Sequence, residues 1–143
     1  CTDIWGCEVK TVRPAAEVVN ISSEYQLDTL KYPVFLAIFE VSDSASPGCE
    51  ARSLGEIVEE LRALLLVDVG VLDSFEERLL LSGYVDREEY FVEKFLIASP
   101  SIYKITDKFP SIQKADLPVG ISNVKYQIEL SVVSSFKVSG III

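Results

Sequence analysis

The run Pro33-Val34-Phe35-Leu36-Ala37-Ile38-Phe39-Glu40-Val41 constrains the fold more than any other stretch of the chain. It carries a single charged residue, Glu40, and is bounded by a proline and by Ser42-Asp43-Ser44. An apolar run this short suits a strand buried on both faces, because a half-exposed strand would alternate apolar and polar residues. Other elements must therefore cover it on either side.

The neighbouring segments supply candidates. Ile4–Val12 and Glu17–Ile21 read as strands. Arg13-Pro14-Ala15-Ala16 between them reads as a turn, since Pro14 pushes the residue before it away from helix. Ser22 or Ser23 caps a short predicted helix through Glu24-Tyr25-Gln26-Leu27-Asp28. Ser42–Cys49, with its Pro47-Gly48, is a loop. Ser53-Leu54-Gly55-Glu56 has the form of a capping box, and Ile57, Val58, Leu61, Leu64 and Leu65 follow at helical spacing, which predicts a helix from about Ser53 to Leu66. Ser74-Phe75-Glu76-Glu77 repeats the capping pattern and predicts a short second helix that Gly83 ends. Beyond Asp86, Tyr90–Ala98 and Ile102–Thr106 flank Ser99-Pro100-Ser101 as a hairpin, and Val124–Val133 and Ser135–Val138 read as strands. The expectation is a mixed α/β chain. Residues 1–70 form its first part, and 71–143 form a helix plus a β-rich C-terminal extension, the two packed as one unit.

Composition removes several function classes. At 143 residues the chain fits one domain with a core of its own. No apolar run approaches the roughly 18 residues of a membrane span, and no secretory signal is visible. The chain has no Met, so the reading is of a fragment or processed product with sequence missing upstream. It also has no His, which removes the commonest general base, the Ser-His-Asp and Cys-His arrangements and most zinc sites. Cys1, Cys7 and Cys49 are odd in number and form no C-x-x-C, which fits packing residues in a reduced, cytoplasmic setting. The net charge of −9 argues against nonspecific nucleic-acid binding, which depends on Lys and Arg neutralising phosphates. That charge is uneven. Acidic residues crowd the middle, from Glu56 to Glu93, and after Phe95 the balance turns slightly basic.

One tripeptide suggests chemistry. Glu8-Val9-Lys10 lies on the first predicted strand, where residues two apart share a face. Glu8 and Lys10 then point together, with Cys7, Val9 and Thr11 opposite. A carboxylate can hold a divalent metal ion, and a lysine beside it can orient or deprotonate a water. The plain alternative is a same-face ion pair on a half-exposed strand, contributing about 0–1 kcal/mol.

The wider pattern adds weight to the chemical reading. The stretch CEVKTVRPAAEVVNISSEYQLD followed by PVFLAIFEV resembles the PD-(D/E)XK nuclease superfamily, and more closely the C-terminal part of the bacterial PD-(D/E)XK motif proteins. Later segments share the resemblance: Phe75-Glu76-Glu77-Arg78 leading to Gly83-Tyr84, Tyr103–Ile105, Phe109-Pro110, Leu117-Pro118-Val119-Gly120-Ile121, and Val124-Lys125-Tyr126 running to Phe136. The resemblance implies an incomplete restriction-endonuclease-like core sheet with flanking helices. It implies Mg²⁺ held by an Asp and by Glu8, with Lys10 positioning the attacking water and stabilising charge on the phosphate. Gln26 matches a glutamine that follows the core strand in parts of the superfamily. It could orient the water or the lysine, or be an exposed helix residue. Asp3 is the only upstream Asp, five residues before Glu8, which leaves little room for a turn and two paired strands. The metal-binding Asp is therefore expected in sequence before Cys1, with Asp3 the candidate inside the chain. The implied function is a Mg²⁺-dependent DNA endonuclease of bacterial restriction or phage defence, present here as an inactive fragment. The competing expectation is a noncatalytic interaction module of a multi-protein defence assembly.

Overall fold

A computed structural model describes residues 4–43 and 50–139. Asp3, Cys1, Cys49 and most of the Ser42–Cys49 loop lie outside the described residues. The chain divides into two compact units, Cys1–Val41 with Ala98–Ile143, and Ser42–Ile97.

In the first unit the apolar run forms β3 (Val34–Asp43), which ends two residues later than predicted. It lies between β1 (Gly6–Val12), which runs parallel to it, and β6 (Ser101–Lys104), which runs antiparallel. Val34, Leu36, Ala37 and Ile38 are buried, so both faces of its first half are covered as the sequence suggests. β2 (Val18–Ile21) pairs with β7 (Tyr126–Glu129) as a separate antiparallel ladder. Val19, Ile21 and Ile128 of that ladder join Val34, Leu36 and Ile38 of β3, with Leu27, Tyr103, Ile105, Phe109 and Val133, in one hydrophobic core.

A parallel pair cannot be joined by a tight turn. The link from β1 to β3 therefore runs through β2 and the segment after it. That segment is not the predicted helix. Gln26 N donates to Ser23 O, and Asp28 N to Tyr25 O, closing single turns only. Five residues offer too few hydrogen bonds to offset the cost of a helix nucleus. Burial of both Glu24 and Leu27 fixes the turns instead.

In the second unit β4 (Arg52–Ser53) pairs antiparallel with β5 (Lys94–Ile97). Helix α1 (Leu54–Leu65) begins at the expected capping box. The Ser53 hydroxyl accepts from Glu56 N at 3.1 Å, and the Glu56 carboxylate accepts from Ser53 N at 2.8 Å. Helix α2 (Val69–Leu81) starts earlier than the Ser74 reading. Asp68 caps it, accepting from Gly70 N and Val71 N, and Ser74 sits inside the helix with its hydroxyl donating to Gly70 O. An Asp at the N-cap satisfies orphan N–H groups well, so the helix nucleates at the first residue able to do so. Its end is as expected. Gly83 takes φ +84°, and Tyr84 N donates to Leu79 O while Gly83 N donates to Leu80 O, the paired bonds of a left-handed helix stop. Arg62 on α1 ties this unit together by pairing with Glu59, Glu76 and Asp86. Those contacts hold the Glu76 and Asp86 carboxyls below their ordinary range.

The predicted hairpin between Tyr90–Ala98 and Ile102–Thr106 does not form. β5 pairs with β4, and β6 pairs with β3, where Ile102 and Tyr103 reach burial that a hairpin alone would not supply. The predicted strand Ser135–Val138 is mostly a 3-10 turn (Ser134–Phe136), with a single bridge from Lys137 to Tyr103. Phe136 packs edge-on against Phe109, 5.2 Å between ring centres, and this contact favours the turn.

Candidate functional site

The register of β1 against β3 decides where the Glu8 and Lys10 side chains go. Glu8 pairs with Leu36 and Lys10 with Ile38. Paired residues share a face of a sheet, so both charged side chains lie on the same side as Leu36 and Ile38. Val12, next in that row, packs against the core. Cys7, Val9 and Thr11 alternate to the opposite face, where Trp5 meets Phe35 edge-on. Burial pushes the Cys7 thiol pKa up, which lowers its thiolate fraction.

The two charges are in contact. Lys10 Nζ lies 3.0 Å from Glu8 Oε1, with the lysine side chain 16% exposed and the glutamate 23%. The third sequence candidate joins them. Lys10 Nζ donates a 2.9 Å hydrogen bond to Gln26 Oε1, and the same oxygen accepts from Ser22 N at 2.7 Å. Of the two roles open to Gln26, contact with the lysine is the one this arrangement contains. Beside Lys10 opens a cleft of about 550 Å³, lined by Arg13, Asn20 and Ser22 among others. One carboxylate, one ammonium and one amide thus meet at the rim of the core, and Lys10 of the three also lines the cleft.

The turn that carries Gln26 is held from the far end of the sequence. Glu24 is 1% exposed, and its two carboxylate oxygens accept from Asn123 N at 3.3 Å and Val124 N at 2.9 Å. Its own backbone N–H and then those two donors hold its pKa below the ordinary carboxyl range, against burial, which raises it. Gln113 donates to Leu27 O at 2.9 Å and accepts from Thr29 N at 3.1 Å. The Lys114 ammonium lies 4.8 Å from the centre of the Tyr25 ring. Sequence reasoning does not single out Glu24 or Gln113. A glutamate between Ser23 and Tyr25 carries no mark of burial, and a lone glutamine after Phe109-Pro110-Ser111-Ile112 has no motif around it.

Among the described residues no three His, Cys, Asp or Glu side chains gather as a ready metal cage. No described helix is long and apolar enough to cross a membrane.

No curated protein and no solved structure matches the chain. Residues 3–131 match the family described as "Putative PD-(D/E)XK family member, (DUF4420)". That match runs from just before β1, through the Glu8-Val9-Lys10 strand and the Gln26 turn, to the residues after β7. The chain belongs to this family of PD-(D/E)XK members.

Proposed function

We propose that the chain carries part of the site of a Mg²⁺-dependent DNA endonuclease serving bacterial restriction or phage defence. The observation that carries the reading is the cluster Glu8–Lys10–Gln26, joined by contacts of 3.0 and 2.9 Å on a strand and its own crossover. The family assignment supports it.

Glu8 is the metal ligand in this reading, with Asp3 as the candidate second one. Mg²⁺ needs one or two carboxylates and keeps several waters, so a partly exposed Glu8 fits that demand. Bound there, the ion would lower the pKa of a water and neutralise phosphate charge. Lys10 presents its ammonium to the attacking water and to the charge that builds on the phosphate oxygens. Hydrolysis forms a bond from the water oxygen to phosphorus and breaks the bond to the leaving sugar oxygen; the attacking water gives up a proton to solvent and the leaving oxygen takes one from solvent, ending as a hydroxyl. Gln26 holds the ammonium in line for that work, because a lysine chain has four rotatable bonds and one anchor leaves it loose.

The test is direct. In the full-length protein, Glu8→Ala and Lys10→Ala each abolish Mg²⁺-dependent cleavage of DNA while circular dichroism stays native. Undiminished cleavage by either variant overturns the assignment.

A second reading, a noncatalytic interaction module, draws on α2, none of whose residues is buried. It also draws on the unit Ser42–Ile97, which carries nearly all of the net negative charge. Calorimetry with Mg²⁺ separates the readings: heat of binding that disappears in Glu8→Ala favours the nuclease.

A further inference from the structure

We infer that Glu24, with Gln113 as its companion, is a positioning residue that sets the Lys10 ammonium through Gln26. Burying Glu24 is costly, since a carboxylate is seldom fully buried unless its lone pairs are satisfied. Here two successive backbone N–H groups, of Asn123 and Val124, converge on its two oxygens. Asn123 takes φ +56°, the left-handed conformation that asparagine tolerates, and such a turn lets neighbouring N–H groups point at one anion. The clamp spans 99 and 100 residues of sequence.

Gln113 holds the other end of the same turn by two backbone bonds, at Leu27 and at Thr29, and its amide nitrogen also donates to Ser111 Oγ at 2.8 Å. Leu27 itself is fully buried in the core. Gln26 lies between these anchors, one residue before Leu27 and two after Glu24. The residue between Glu24 and Gln26 is Tyr25, exposed, with Lys114 over its ring. The backbone on both sides of Gln26 is thus fixed, and from it the side-chain oxygen accepts from Ser22 N and Lys10 Nζ. Packing alone would account for Leu27. It does not account for a buried charge at a turn whose exposed product is a single hydrogen bond to a lysine.

The functional weight of this inference rests on the nuclease reading, but its test does not need cleavage. A lysine ammonium gives a resolved proton–nitrogen correlation signal in solution only when hydrogen bonding slows its exchange with water. In the native chain Lys10 gives such a signal, and Gln26→Ala loses it. Glu24→Gln replaces one acceptor oxygen with an NH₂ group, leaving one of the two backbone N–H groups without an acceptor. The expected result is a folded protein that has lost the Lys10 signal, as Gln26→Ala has, and whose Gln26 side-chain amide resonances have moved. A folded Glu24→Gln variant that keeps the native Lys10 signal overturns the inference. If Glu24→Gln fails to fold, Gln113→Ala is read in the same way. Unfolding of both variants assigns the two residues to core stability alone and overturns it as well. Where cleavage is measurable, the double variant Glu24→Gln/Gln26→Ala is expected to be no slower than Gln26→Ala, since the two act through one bond. Loss of the Lys10 signal in the variants, with no Mg²⁺-dependent cleavage by the full-length protein, would leave the clamp standing and remove the nuclease reading.

Discussion

Gln26→Ala is the most informative single perturbation of the site. It removes the oxygen that accepts 2.9 Å from Lys10 Nζ and 2.7 Å from Ser22 N, and it adds no bulk. The Ser22 segment is exposed, so its N–H turns to water at little cost. Losing the bond to the lysine matters more. A hydrogen bond to a charged group contributes about 1.5–3 kcal/mol when shielded. With the lysine side chain 16% exposed, water reaches one side of it, so the lower end of that range, about 1.5 kcal/mol, applies. If the bond serves to hold the ammonium in line, that energy appears in the barrier and slows the chemical step about tenfold. Lys10→Ala, which removes the cation itself, should cost far more. The assay is the initial rate of plasmid nicking by the full-length protein at saturating Mg²⁺, with kcat and KM for DNA separated. Gln26→Ala is expected to lower kcat about tenfold and leave KM within about twofold. A rate within about twofold of wild type, or a loss as deep as that of Lys10→Ala, would refute the reasoning that Gln26 acts by orienting the lysine.

Two further outcomes test the frame around the site. The Lys94 ammonium hydrogen-bonded to Glu56, and then the Ser53 backbone N–H, pull the Glu56 carboxyl down to about 2 from its ordinary value of 4.5. A carboxyl whose folded value is depressed stabilises the fold above its unfolded value, and that contribution fades as pH falls from 4.5 toward 2. Urea titrations should therefore show wild type more stable than Glu56→Gln near neutral pH, the gap closing below about pH 2; a gap that stays constant through this window contradicts the assignment. Ser53→Ala deletes the fully buried cap hydroxyl of α1 and should cost about 1 kcal/mol, seen as a lower urea midpoint at unchanged slope. An unchanged midpoint would mean that the Glu56 half of the box suffices.

The parts of the structure that are legible in sequence are those governed by local rules. The run from Pro33 to Val41 is a strand because its pattern admits little else, and Ser53 with Glu56 starts a helix because both halves of the box lie within four residues. Glu8 and Lys10 share a face because strands alternate. What is not legible depends on partners far along the chain. Tyr90–Ala98 and Ile102–Thr106 resemble a hairpin when read as neighbours, yet each finds a better strand elsewhere. Glu24 reads as one more residue of an exposed helix, because nothing near it announces the Asn123 and Val124 N–H groups. Asp68 escapes notice as a cap because Ser74-Phe75-Glu76-Glu77 fits the same rule six residues later, and sequence gives no means of ranking two valid starts.

The long reach of the Glu24 clamp also has a consequence in time. Glu8, Lys10 and Gln26 leave the ribosome close together, but the donors to Glu24 follow it by 99 and 100 residues. At about 5–20 residues per second, that interval lasts roughly 5–20 s. Through it the Gln26 turn exists without its two holders, and the Lys10 ammonium has Glu8 but no fixed second anchor. The cluster therefore becomes whole only after Val124 has emerged, so a nascent or truncated chain that stops short of that residue carries the residues of the site without its geometry.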